Sequence, residues 1–178
     1  MTNILKAALV VSLLNFAASA MAQVVREDVA GIVNFARIET TVACAGAITP
    51  DSVTRIRDYG FESIINLRRA SEEGANIEAE AEAAAAAGLR FVHLPFGGPD
   101  LDLGVADQFM EVIRESGVEP AFVHCAGGGR AATMWYLKRI VVDGWDKESA
   151  REEATQLGMP EDGRLVDYAA EYLERLAG

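Results

Sequence analysis

The residues with chemistry to offer are gathered at 123–131, Val-His-Cys-Ala-Gly-Gly-Gly-Arg-Ala. An apolar run, Ala121-Phe122-Val123, leads in, and a helix-period pattern beginning at Ala131 leads out. A strand that turns sharply into a helix leaves the first amides of that helix without intrahelical acceptors, so they face whatever occupies the turn. The consecutive glycines Gly127, Gly128 and Gly129 let the backbone bend round a bound group where a Cβ would collide. The helix dipole favours an anion at the same place. Cys125, at the mouth of such a helix and followed by Arg130, sits where thiolate is favoured over thiol, which makes it a candidate nucleophile. Arg130 supplies a planar fork of donors matched to two oxygens of a tetrahedral oxyanion. The backbone of Ala126, Gly127, Gly128, Gly129 and Ala131 is the candidate cradle for that anion. An inert buried cysteine and a solvent-facing arginine are the ordinary alternative, which Cys, Gly-Gly-Gly and Arg together at one turn disfavour.

This turn resembles the signature loop of the cysteine-dependent protein tyrosine and dual-specificity phosphatases, in which His-Cys precedes a glycine-bearing loop and an arginine. It is more similar to one branch, the small bacterial phosphatase-like domains joined to beta-lactamase-like hydrolases or sulfur-metabolism enzymes. Residues 61–68 (Phe-Glu-Ser-Ile-Ile-Asn-Leu-Arg), residues 88–95 (Gly-Leu-Arg-Phe-Val-His-Leu-Pro) and Met134-Trp135 carry the same likeness, which spans about residues 33–176. The resemblance implies a compact α/β sandwich with a central, mainly parallel sheet flanked by helices. It also implies hydrolysis of a phosphate monoester, with Cys125 attacking phosphorus while Arg130 and the loop amides hold the oxygens.

Two departures bear on that activity. Tyrosine phosphatases typically place five residues between Cys and Arg; here there are four, Ala126 to Gly129, a spacing that also resembles the rhodanese-like sulfurtransferases. Phosphatases of this kind also tend to carry Ser or Thr directly after the arginine, where this chain has Ala131, with Thr133 two positions on. Sulfur transfer through a Cys125 persulfide, and a non-catalytic module that binds an oxyanion or a phosphorylated ligand, therefore stand beside the phosphatase reading. All three take a small phosphorylated or oxyanionic substrate or ligand, or in the phosphatase case a phosphoprotein, and none calls for a cofactor.

Monoester hydrolysis needs a proton for the leaving oxygen. Asp100 and Asp102, in Phe-Gly-Gly-Pro-Asp-Leu-Asp at 96–102, are the candidates. Asp100 is the first choice as general acid, because Asp102 immediately precedes a helix and an Asp there commonly caps it. His124 is a supporting residue expected to point away from the loop and hold local geometry. His93 reads as core or pocket wall. Adjacent side chains on a strand point to opposite faces, so His124 and Cys125 do not form a metal pair, and no metal site is expected.

The elements that must position these residues can be read in order. Residues 32–38 and 41–44 read as short strands, Pro50 as the first helical position after Thr49, and Gly60 as that helix's end. A buried strand at 63–67, an alanine-rich helix stopped by Gly88, a strand at 89–94, a helix around Val105, Phe109, Val112 and Ile113, and a strand at 121–124 follow. Strand-helix-strand alternation implies right-handed crossovers and a parallel sheet, and such sheets bind ligands at the carboxyl ends of their strands. Helical patterns fill the remainder, with Trp135, Tyr136 and Trp145 expected to pack rather than bind.

Residues 1–22 read as a removable export signal: Lys6, an apolar stretch at 7–18, and Ala20-Met21-Ala22 before Gln23. A single phosphatase-like domain at 23–178, periplasmic or secreted and without a later membrane span, is the expectation. Sixteen basic residues against 27 acidic ones give a formal charge of −11, which repels nucleic acid and anionic lipid. Any anionic substrate therefore needs local positive charge from Arg130, to which Arg68 and Arg69 add if they are not merely solvated. Cys44 reads as a small buried residue, with reversible pairing to Cys125 as the alternative.

Overall fold

The computed structural model describes residues 23–99 and 101–178. The proposed export signal and Asp100 lie outside the described residues. Six strands form one sheet in the order β1-β2-β3-β6-β4-β5: β1 Val24–Val29, β2 Ile32–Ile38, β3 Val42–Ala45, β4 Ser63–Asn66, β5 Arg90–His93 and β6 Ala121–His124. The pairs β3·β6, β6·β4 and β4·β5 are parallel, while β1·β2 and β2·β3 are antiparallel. The mainly parallel α/β reading therefore holds. Strand β1 is an addition to it. Its Val-Val-Arg-Glu-Asp-Val carries charge in mid-strand, because it is an edge strand with one solvated side, and so lacks the apolar run that marks β6.

The helices are α1 Val53–Asp58, entered through a 3-10 turn at Pro50–Ser52, α2 Ile77–Ala86, α3 Gly104–Ile113, α4 Gly129–Val141, α5 Lys147–Leu157 and α6 Arg164–Ala177. Two cores result. Helices α1 and α2 cover one sheet face through Val53, Ile56 and Ala84 against Phe35, Ile64 and Phe122. The other four cover the opposite face, where Phe109, Trp135, Leu157 and Tyr172 pack with Ile65 and Val123. Burying a side chain of this size contributes about 2 kcal/mol. The layers hold β6 fixed from both sides.

Strand β6 is central and buried along its whole length. Its neighbours run in register, with Cys44 and Ile65 both opposite Val123, and Ala45 and Asn66 both opposite His124. Alternation then sends Val123 and Cys125 into the core under α4 and Phe122 and His124 towards α1 and α2. The helix that follows begins at Gly129, two residues before the sequence pattern shows it, because Gly129 and Arg130 carry no apolar mark. Trp135 packs as expected and donates its indole N–H to buried Glu153 at 2.7 Å, while Arg139 lies over the ring of Trp145.

Candidate active site

The 125–130 turn is held from outside by its carbonyls. Ala47 N–H donates to Ala126 O at 2.9 Å, and the Asn34 amide donates to Gly127 O at 3.0 Å. Asn34 does so from a left-handed backbone, φ +50°. With those carbonyls turned outward, the other side of each peptide faces in. Gly128 N–H accordingly points at the Cys125 Sγ, 3.1 Å away. Gly128, at φ +103°, makes the bend into α4, a conformation side chains other than glycine rarely adopt. The first intrahelical bond is Ala132 N–H to Gly128 O, so the amides of Gly129, Arg130 and Ala131 have no i−4 partner and open toward the same space.

Arg130 is held as firmly as the sulfur. Its Nη1 donates to Glu72 Oε1 at 2.6 Å, to Leu67 O at 3.2 Å and to Phe96 O, while Nη2 donates to Glu72 Oε2 at 2.7 Å. Glu72 thus takes the end-on edge of the guanidinium. The side-on edge, Nε–H with the second Nη2 proton, is not used by Glu72, and an edge of that shape suits bidentate contact with two oxygens. Burial alone would raise the Glu72 carboxyl, but hydrogen bonds from Arg130 and the Arg69 amide, with the charges of Arg130 and Arg68, hold it down at about 2 from 4.5. Burial opposes the charge of Arg130 too; the Glu72 bond and the electrostatic pull of Cys125 outweigh it and leave the guanidinium pKa raised.

The structure separates the two arginines after β4. Arg68 is buried and donates to the carbonyls of Glu73 and Gly74, so it builds the loop that carries Glu72. Arg69 faces the mouth. With Glu72, Gly97, Gly98, Leu101, Arg130, Arg164 and Leu165 it lines a cavity of about 350 Å³. Gly97, at φ +143°, lets the 96–98 loop close on the site, since a Cβ there would stand 2.8 Å from Arg130 Nη1. Gly97→Ala should therefore cost about 2 kcal/mol in a urea unfolding curve, and an unchanged midpoint would mean that Arg130 moves freely.

The other expected residues fall as follows. Asp102 accepts from Gly104 N–H at 2.8 Å and so caps α3, the commoner role for an Asp in that position. Asp100 lies outside the described residues. Thr133 is turned to its own helix and donates to Gly129 O at 2.8 Å. His93 Nε2 meets Arg68 O at 2.7 Å. His124 points away from the loop, and its Nε2 lies 3.2 Å from Glu80 Oε2, both side chains being 0% exposed. Asn66 Nδ2 donates to the same oxygen at 2.6 Å. Cys44 and Cys125 are free thiols, both in the core beneath α4. Burial, followed by the charges of Cys125 and Glu153, pushes the Cys44 thiol well above its ordinary value. Among the described residues no three His, Cys, Asp or Glu side chains cluster to hold a metal ion.

Sequence reading missed Asn34, Asn66, Glu72, Glu80 and Arg164. A signal existed for Glu72 alone: an arginine needed at a fixed orientation calls for an acid, and Glu72 stands in the loop behind the strand parallel to β6.

The family described as "Beta-lactamase hydrolase-like protein, phosphatase-like domain" matches residues 34–141. The chain belongs to this family. Among curated relatives, the beta-lactamase hydrolase-like protein of Agrobacterium fabrum is 34% identical over 104 residues, 57% of this chain and 24% of that protein. The protein of the same description from Xylella fastidiosa strain 9a5c is 30% identical over 142 residues, 79% of this chain and 32% of its own length. The chain thus spans a quarter to a third of these relatives. The solved structure of P. aeruginosa TpbA in complex with pTyr superposes with a TM-score of 0.63 at 19% identity, covering 90% of this chain and 99% of that one. This phosphatase-like domain therefore shares the fold of TpbA.

Proposed function

We propose that this phosphatase-like domain hydrolyses phosphate monoesters through a phosphocysteine at Cys125. The observation that carries the reading is the joint geometry of sulfur and guanidinium: Sγ receives an amide N–H at 3.1 Å while Glu72 orients the open edge of Arg130. In the first step the thiolate forms an S–P bond, the ester P–O bond breaks, and the leaving oxygen takes a proton from Asp100. In the second, water attacks phosphorus, gives its proton to Asp100, and the S–P bond breaks to return thiolate and orthophosphate. The amides after Gly128 and the side-on edge of Arg130 hold the equatorial oxygens in both steps, so catalysis is mainly electrostatic positioning. That a related fold holds pTyr supports an aryl phosphate as the first substrate to try.

The test uses the reduced domain with phenyl phosphate, and in parallel thiosulfate with cyanide, each against Cys125→Ser. Orthophosphate release that vanishes in C125S is the expected result; thiocyanate formation without it would replace this reading by sulfur transfer, which the four-residue spacing favours. Asp100→Asn should slow alkyl phosphates by roughly a hundredfold and nitrophenyl phosphate far less, because only the poorer leaving group needs the proton. Export is part of the same proposal, and mass spectrometry of the protein from a periplasmic fraction should show a chain beginning at Gln23.

A further inference from the structure

Acidic residues outnumber basic ones in this chain, and many of its arginines are matched to a carboxylate: Arg37 to Glu27, Arg57 to Glu62, Arg90 to Glu115, Arg139 to Glu153 and Arg175 to Asp107. The cavity at the loop mouth departs from that pattern, for three arginines and one glutamate line it. Glu72 is committed to Arg130 at 2.6 Å and stands 3.6 Å from Arg69 Nε. That Nε is itself buried without a hydrogen-bond partner among the described residues. Arg164 has no carboxylate partner among them. Its Nη2 donates to Gly98 O at 2.9 Å and Pro99 O at 2.6 Å, which fixes the guanidinium at the rim. Arg164 also opens α6, a helix of 14 residues whose first-turn amides, uncapped by any side chain, start beside the same cavity at Leu165.

Both guanidinium groups lie against the Gly97-Gly98 loop. A Cβ at Gly98 would meet Arg69 Nη1 at 3.3 Å, and the carbonyl of Gly98 is held by Arg164, so one short loop carries both cations. We propose that Arg69 and Arg164 form a second anion subsite beside the Cys125 loop, and that the preferred substrate is a small phosphate monoester bearing another anionic group, phosphate or carboxylate. The proposal rests on the phosphatase reading for its first phosphate, and on the mouth cavity for the second. Low dielectric at the loop wall concentrates the field of both cations where a substrate enters, against the repulsion of an otherwise acidic surface. A monoester with no second charge leaves that field unused.

Binding to the Cys125→Ser protein, measured by calorimetry, separates this proposal from turnover. The probes are phenyl phosphate, the catechol, resorcinol and hydroquinone bisphosphates, and carboxyphenyl phosphate. At least one doubly anionic probe should bind about tenfold tighter than phenyl phosphate, and the spacing that does so measures the distance between subsites. The preference should fall to about twofold or less in the Arg69→Gln/Arg164→Gln double variant and stay in Arg90→Gln, which removes one exposed arginine from the remote edge strand. A gain with carboxyphenyl phosphate would show that a carboxylate suffices, and a gain confined to the bisphosphates that a dianion is needed; either supports the subsite. All four doubly anionic probes within about twofold of phenyl phosphate, or a preference that survives the double variant, would overturn it. Failure of the phosphatase reading shows elsewhere, as absent phenyl phosphate turnover by the unaltered chain.

Discussion

Glu72→Ala is expected to lower kcat/KM for phenyl phosphate by about a hundredfold, with most of the loss in kcat. The side chain touches no substrate; it acts by holding the end-on edge of Arg130 at 2.6 and 2.7 Å, so that the other edge faces the phosphoryl oxygens. Without it, Leu67 O and Phe96 O both grip Nη1 alone, and the guanidinium can swing about that atom. Misplacement by about an ångström is enough for a loss of this size. Glu72→Gln keeps the shape and one acceptor, and should recover part of the rate. The carboxyl titrates at about 2 instead of 4.5, so the pair's contribution to stability is complete above pH 4.5 and disappears as pH falls through about 2. The stability gap between the parent and Glu72→Gln, followed by urea unfolding, should accordingly be constant from neutral pH down to pH 4.5 and narrow below it. A gap that widened on acidification would contradict the ion pair.

The sulfur, the glycines and the guanidinium could be read from the sequence because a strand-to-helix turn is local: backbone geometry follows from nine consecutive residues. The strands β4 and β6 were legible for a related reason, since strands buried on both faces stand out as apolar runs. What stayed hidden is what arrives from elsewhere in the chain. Glu72 lies 58 residues from Arg130 and Asn34 lies 93 from Gly127; nothing in its own neighbourhood marks Asn34, and Glu72 is marked only by the need of Arg130 for an acid. Strand β1 was missed because an edge strand with charges in mid-run has no apolar signature. Glu80 was passed over for a more instructive reason. Its spacing with Glu78 and Glu82 marks an alanine-rich helix and not a buried partner, yet it alone of the three is buried, because α2 turns it under the sheet towards His124.

That burial leads to the other large effect. Glu80→Ala should destabilise the domain by about 4 kcal/mol, since it strips a buried group of its partner without filling the space, and the melting midpoint should fall by roughly 12 °C for a chain of this length. Glu80 Oε2 stands between two strand ends: Asn66 at the end of β4 donates to it at 2.6 Å, and His124 at the end of β6 packs 3.2 Å from it without a hydrogen bond among the described residues. Asn66 Oδ1 in turn accepts the Arg68 amide at 2.7 Å, and Leu67 N–H donates to His124 O at 2.8 Å. The same few residues thereby fix the exit of β6, where Cys125 begins, and the exit of β4, where Leu67 and Glu72 reach Arg130. A double-mutant cycle with His124→Ala tests the coupling. The two losses should fall short of additive by about 1 kcal/mol or more, because each variant removes the same contact. Additivity to within about 0.5 kcal/mol would mean that carboxylate and imidazole are buried side by side without supporting one another. Glu80→Gln, which keeps the volume and the bond from Asn66, should lose far less stability, so any drop in its turnover measured while it is fully folded reports the alignment of the two strand ends and not unfolding.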